Sequence, residues 1–326
     1  MEKVLIGPAQ LAGLEASFVP ALRGAGFDLV YPKRRAQMVE AELLEQLAGV
    51  KATVAGSEPY TRRVLDAHPQ LRVIARAGVG YDAVDVQAAT ERGIAVAITP
   101  NTNQDAVAEH TFGMMLALAK SIVAQHQGTV AGKWPRQANL PLRGRTLGIA
   151  GLGRIGKAVA IRGHCFGMKL LAYEPYPDHA FAAKYGLRFV SFDELLAESD
   201  YLSLHMPATA ESRQLINRAT LAKMKPSAFF INTARGALVN EADLVDALKN
   251  RRIAGAAIDV FEEEPPGDHA LFHLENVVVT PHAAGVDLQS RDDMALSAAQ
   301  AIISLSRGEW PAEKIVNPEV RERFRW

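Results

Sequence analysis

Short apolar runs recur along the first hundred residues, at 4–6, 53–55, 73–75 and 95–98. Runs with so few polar interruptions belong to strands buried on both faces, as in a parallel sheet. Between them, 41–47, 61–67 and 84–92 carry apolar residues spaced for one helix face. This βα rhythm predicts an open doubly wound sheet with helices on both sides. After Pro100 the pattern changes, and 104–130 predicts one long helical stretch. A second βα array follows, with strands expected at 146–150, 169–173, 201–204, 228–232, 256–259 and 277–280. A helix over 287–306 and a charged tail around 320–325 end the chain.

Two βα arrays joined by long helices suggest one α/β domain inserted into another, the last helix returning to the first. A chain of 326 residues also exceeds what a single core usually supports. The expected division is 1–100 with 287–326, and 101–286. The 36 basic and 36 acidic side chains cancel and form no basic block, which removes the footprint of a nucleic-acid binder and favours a small-molecule partner. The N-terminus has too short an apolar run for a signal peptide, and the most apolar helix, near 112–124, is interrupted by Lys120. The expectation is a cytoplasmic protein without a membrane partner. Cys165, the sole cysteine, cannot make an internal disulfide and is expected as a small core residue. His110, on the long helix, is expected as a satisfied core histidine. His269 and His273 have the spacing of a metal pair, but no Glu follows His269 and Pro265-Pro266-Gly267 predicts a loop, so no metal is expected.

Chemistry enters at Gly151-Leu152-Gly153-Arg154-Ile155-Gly156, which follows an apolar strand directly and opens a helix. In that context GxGxxG is a dinucleotide fingerprint: Gly151 permits the tight turn, Gly153 lets the backbone approach a pyrophosphate, and Gly156 allows close helix packing. The amides of Arg154 and Ile155 then point at phosphate from the helix N-terminus. Glu174 ends the next strand, placed to accept from ribose hydroxyls and to repel a 2′-phosphate, so NAD is expected over NADP.

Three further strand ends carry polar groups: Asn232-Thr233-Ala234-Arg235, Asp259 through Glu264, and Thr280-Pro281-His282. That edge of an open α/β sheet faces the ligand crevice. Arg235 offers a fork for a carboxylate, His282 a proton acceptor near neutral pH, and Glu264 a partner to orient the imidazole. Singly, Arg235 reads as well as an interdomain salt-bridge residue, and Glu264 as part of a solvated acidic run. Beside the fingerprint, they read together as a catalytic site.

With Arg76-Ala77-Gly78-Val79-Gly80-Tyr81-Asp82, Ala106 to Glu109, Leu142 to Ile149 and His205-Met206-Pro207 added, the sequence resembles the D-isomer-specific 2-hydroxyacid dehydrogenase family over nearly its whole length, and within it the phosphoglycerate dehydrogenase branch. The resemblance implies a Rossmann cofactor domain inserted into a flavodoxin-like substrate domain, a cleft between them, and a homodimer. It implies cofactor contacts from His205, Met206, Pro207, Thr209, Thr233, Ala234, Asp259 and His282, with Asp259 at the nicotinamide carboxamide. It also implies that the amides of Val79 and Gly80 bind the substrate carboxylate with Arg235. The substrate implied is a small 2-hydroxy or 2-keto acid, 3-phosphoglycerate or its keto acid first, with Arg76 meeting the phosphate and Arg136, near Lys133 and Trp134, reaching across the dimer. A glyoxylate or hydroxypyruvate reductase remains open, because the loop from Ala55 to Glu58 lacks a basic residue that some phosphoglycerate enzymes carry there. A corepressor-like NAD-sensing protein is the alternative of another class. The formate dehydrogenase branch carries Gln where Glu264 stands. The sequence departs from the family pattern with Glu at 174 in place of the commoner Asp, with Val286-Asp287 after Gly285 where Ser or Thr is usual, and in an expected lack of a terminal regulatory domain.

Overall fold

In the computed structural model, which describes residues 1–34 and 36–326, the chain forms two compact units, Met1–Asn103 with Asp287–Trp326, and Gln104–Val286. The first unit runs β1 (Glu2–Ile6), α1 (Phe18–Gly24), β2 (Phe27–Val30), α2 (Glu40–Gln46), β3 (Val50–Ala55), α3 (Arg62–Ala67), β4 (Val73–Arg76), α4 (Val86–Glu91) and β5 (Ala95–Ala97). The strands are parallel in the flavodoxin-like order β2-β1-β3-β4-β5. Side chains alternate across the pleat, so Val4 and Ile6 join one core with Ala298, Ala299 and Ile302 of the returning helix, while Leu5 joins a second core with Tyr60, Val64 and Leu65.

The second unit opens with α5 (Gln104–Ala119) and α6 (Ile122–Val130). It continues through β6 (Thr146–Ala150), α7 (Arg154–Cys165), β7 (Lys169–Tyr173), α8 (His179–Tyr185), β8 (Leu187–Phe189), α9 (Phe192–Glu198) and β9 (Tyr201–Leu204). Then come α10 (Arg218–Leu221), β10 (Phe229–Asn232), α11 (Glu241–Lys249), β11 (Gly255–Ile258) and β12 (Val277–Val279), and the chain returns to the first unit as α12 (Leu288–Ser306). Its parallel sheet has the order β12-β11-β10-β9-β6-β7-β8, reversing direction between β6 and β9.

The single helix expected over 104–130 is two helices, bent by 59° at a break where Ser121 adopts φ 49°. The reason is packing: α5 lies against α7 and the strands β10 to β12, whereas α6 buries none of its residues. No single described helix is long and apolar enough to cross a membrane. Strands β2 and β8 went unanticipated because each is a sheet edge with one buried residue, Phe27 and Leu187, and so has no apolar run to read. Cys165 is exposed, contrary to expectation. The buried face of α7 carries Gly156, Ala158, Val159, Ala160 and Gly163, and Cys165 turns away from it.

Candidate active site

At the carboxyl end of β10, Asn232 is wholly buried, its amide donating to the Arg235 carbonyl (2.8 Å) and its Oδ1 accepting from the Ala234 N–H (3.0 Å). These bonds fix the turn that presents Thr233, Ala234 and Arg235. The Thr233 hydroxyl lies 3.0 Å from that of Thr111 on α5. A Cβ on Gly236 would come within 2.0 Å of the Phe261 carbonyl carbon, so only glycine lets the loops after β10 and β11 approach so closely.

Asp259, just past β11, is also wholly buried. Its Oδ1 accepts from the Thr280 hydroxyl (2.5 Å) and the Ala283 N–H (2.8 Å), and its Oδ2 from the Ala284 N–H (3.0 Å). Its carbonyl accepts from the His282 N–H at 2.7 Å. The loop after β12 thus wraps around this carboxylate, whose oxygens are largely engaged in holding it. His282 sits on that loop at φ 52°, a left-handed conformation that costs about 1–3 kcal/mol unless its surroundings impose it. His110 turns out to support the same loop, its Nε2 lying 3.0 Å from the Thr280 hydroxyl and 3.6 Å from Asp259 Oδ1. Periodicity gave no sign of that role.

Glu264 accepts from the Phe261 N–H through Oε1 (3.0 Å), and its Oε2 lies 2.6 Å from His282 Nδ1. A carboxylate can only accept, so Nδ1 carries the proton and Nε2 is left as the acceptor. With the imidazole 43% and the carboxylate 29% exposed, the pair is open to a ligand.

The fingerprint turn follows β6. A Cβ on Gly151, at φ 93°, would lie 2.8 Å from the His205 carbonyl, and one on Gly156 would lie 2.1 Å from the Gly151 oxygen. Gly153, the N-cap of α7, faces open space: a Cβ there would meet nothing within 4 Å. That uncapped end, with Arg154 and Ile155 in the first turn, suits a diphosphate. Glu174 is held beside it, accepting from the Leu152 N–H (2.7 Å) and the Tyr176 N–H (3.1 Å).

The ring of His205 is turned inward. Its Nε2 lies 2.8 Å from the Ser203 hydroxyl, its Nδ1 is buried without a hydrogen-bond partner, and burial depresses its pKa to about 3. It is therefore the backbone of His205 and Met206 that meets the fingerprint. Pro207 and Thr209 stand exposed in a turn closed by Ser212, which accepts from the Thr209 N–H (2.8 Å) and donates to the Pro207 carbonyl (2.9 Å). His269 caps the short helix Ala270–His273 and pairs with Glu241 at 2.9 Å. Among the described residues no group of three His, Cys, Asp or Glu side chains could hold a metal.

In the first unit, Arg76 ends β4, is 9% exposed, and donates from Nε to the Gly80 carbonyl (2.8 Å). Thr99 braces the loop between: its hydroxyl accepts from the Gly78 N–H (2.9 Å), and its own N–H donates to the Gly78 carbonyl (3.1 Å). Among the described residues, the N–H groups of Val79 and Gly80 donate to no protein acceptor. Glu58, in the neighbouring loop, is 1% exposed and accepts from the Gly56 N–H at 2.6 Å. Burial pushes its carboxyl above the usual range, against the opposing pull of the Arg76 charge. Nothing in the sequence marks Glu58, since a Ser-Glu-Pro run reads as solvated loop. Arg136, with Lys133 and Trp134, lies in the exposed segment after α6, outside the His282–Glu264 group.

Residues 112–284 match the family model described as D-isomer specific 2-hydroxyacid dehydrogenase, NAD binding domain. The chain belongs to that family. This NAD-dependent D-2-hydroxyacid dehydrogenase is 39% identical to a glyoxylate reductase of Korarchaeum cryptofilum, over 90% of its own length and 91% of the relative's. It is 40% identical to a D-3-phosphoglycerate dehydrogenase of Methanocaldococcus jannaschii over 86% of its length, but spans only 54% of that longer protein. A D-lactate dehydrogenase from Aquifex aeolicus, solved with NAD and lactic acid, superposes with TM-score 0.85 at 26% identity, covering 97% of this chain and 99% of that one.

Proposed function

We propose that the dehydrogenase interconverts a short, unphosphorylated 2-keto acid of the glyoxylate or hydroxypyruvate class and its D-2-hydroxy acid. The observation that carries this choice is the setting of Arg76. The sequence points to 3-phosphoglycerate because Arg76 could meet a phosphate. Yet that guanidinium is almost buried, spends Nε on the Gly80 carbonyl, and feels the charge of Glu58. A cation so engaged offers little to a phosphate.

In this reading Arg235 binds the substrate carboxylate and polarises the C2 oxygen. His282 Nε2 gives a proton to that oxygen in reduction and takes it back in oxidation. Glu264 is a positioning residue, holding the Nδ1–H tautomer and facing the imidazolium when it forms. The amides of Arg154 and Ile155 meet the cofactor diphosphate and Glu174 a ribose, with Thr233, Ala234 and the strip from His205 to Thr209 alongside. Bound NADH supplies the hydride that reduces C2, and NAD accepts it in the reverse direction.

A panel of glyoxylate, hydroxypyruvate, pyruvate and phosphohydroxypyruvate, followed by nicotinamide absorbance, tests the choice. The expected result is a higher kcat/KM for glyoxylate or hydroxypyruvate; a preference for phosphohydroxypyruvate overturns it. Exposed Lys133 and Arg136 favour that second reading, as basic groups a second copy could donate. We also infer a homodimer through α6 and the segment after it, where Ile122, Val123, Val130 and Trp134 are exposed together.

A further inference from the structure

In the first unit, β1 and β3 are neighbours in the sheet, yet the chain leaves β1 toward β2 and β3 toward β4. Such a switch point opens a crevice at the carboxyl ends of its strands, where open α/β sheets take their ligands. Gly7 follows β1 and Gly56 follows β3, and between them lies the Glu58 carboxyl. A Cβ on Gly7 would stand 3.1 Å from the Glu58 carboxyl carbon, and one on Gly56 would stand 2.7 Å from Oε1. Any residue with a side chain at Gly56 would displace this group. The Gly56 N–H donates to it at 2.6 Å, and the charge of Arg76, paired with Ala55 across the sheet, acts on it.

Two small residues and a backbone donor around one spot, within reach of the Arg76 charge, make a cradle that suits an anion. The chain fills that cradle with a carboxyl of its own. We infer that Glu58 is a specificity-determining residue: its carboxyl occupies the switch-point anion subsite and turns the enzyme away from substrates bearing an anionic group on C3. The same Arg76 that suggests a phosphate site from sequence thereby serves an internal acid. The chemical class excluded is phosphorylated or dicarboxylic 2-keto acids; the class admitted carries hydrogen or hydroxyl at C3, or lacks C3.

This inference rests on the unphosphorylated reading above, and the two can fail separately. The wild-type panel alone decides that reading. For Glu58, the quantity is the ratio of kcat/KM for phosphohydroxypyruvate to that for hydroxypyruvate. Glu58→Ala empties the cradle and should raise this ratio about tenfold or more, the effect of gaining one charge-assisted hydrogen bond. Inorganic phosphate should also raise the melting temperature of Glu58→Ala while leaving that of the wild type unmoved. Glu58→Gln preserves the volume, so it tests the inference even where the alanine variant does not fold; removing the charge should raise the ratio by a smaller factor. A wild type that prefers hydroxypyruvate, with ratios unchanged in the folded variants and no phosphate protection, overturns the role of Glu58 and leaves the substrate reading standing.

Discussion

His282 joins an unusual backbone conformation to a fixed tautomer, and both come from carboxylates: Asp259 holds its loop and Glu264 its ring. Replacing His282 with Asn keeps a polar side chain on the loop but removes the group that exchanges the proton. Turnover should fall by about 10² to 10⁴, the worth of a positioned base, with NAD affinity by fluorescence titration nearly intact. Glu264→Gln should act through the imidazole alone. With the ring no longer held by a carboxylate, kcat should fall by about tenfold or more while NAD affinity is kept, and an unchanged kcat would mean that the 2.6 Å contact has no part in turnover. Glu58 gives a stability prediction whose sign follows from burial. Its carboxyl keeps its proton to higher pH in the folded chain than in the unfolded one. The stability tied to that proton is therefore full below the unfolded carboxyl range and is lost as pH rises through the folded value. Glu58→Gln is neutral throughout, so the margin by which it melts above the wild type should widen from about pH 4 to about pH 8. A constant gap across that range in a pH series of thermal melts would mean that Glu58 does not titrate differently on folding.

At the scale of elements, the fingerprint separates its three glycines by what each would strike. A Cβ on Gly151 or Gly156 would strike backbone, whereas Gly153 faces open space at an ordinary negative φ of −66°. Gly153→Ala should thus fold with a melting temperature within about 2 °C of the wild type, yet weaken NAD by about tenfold or more in a titration, because the new methyl stands where a diphosphate must approach. This turn was readable in the sequence because strand, glycines, helix and Glu174 come in one continuous stretch. The Glu264–His282 pair was readable only in combination: His282 follows the apolar end of β12, and Glu264, which alone reads as part of a solvated acidic run, gains meaning beside it. What stayed hidden depends on the third dimension. Glu58 looks solvated until the loops after β1 and β3 close over it, and His110 looks like core until Thr280 meets its ring. The break between α5 and α6 falls at a serine, with neither glycine nor proline to announce it.

At the scale of the whole molecule, α6 and its following segment expose apolar side chains, with Val130 75% and Trp134 78% exposed. If this surface is covered by a second copy, light scattering at micromolar concentration should give twice the chain mass, and Trp134→Glu should shift the protein toward the monomer. A monomeric wild type under those conditions would assign the surface some other use. The discontinuity of the first unit carries a different consequence, one of timing. One of its two cores is completed by Ala295, Ala298, Ala299, Ala301, Ile302 and Leu305, which lie about two hundred residues beyond β5. During synthesis from the N-terminus, β1 to β5 therefore emerge with one face of their sheet lacking its covering helix, and wait while the whole inserted unit, continuous from Gln104 to Val286, is made. The part of the chain that is translated first is the part that must finish last.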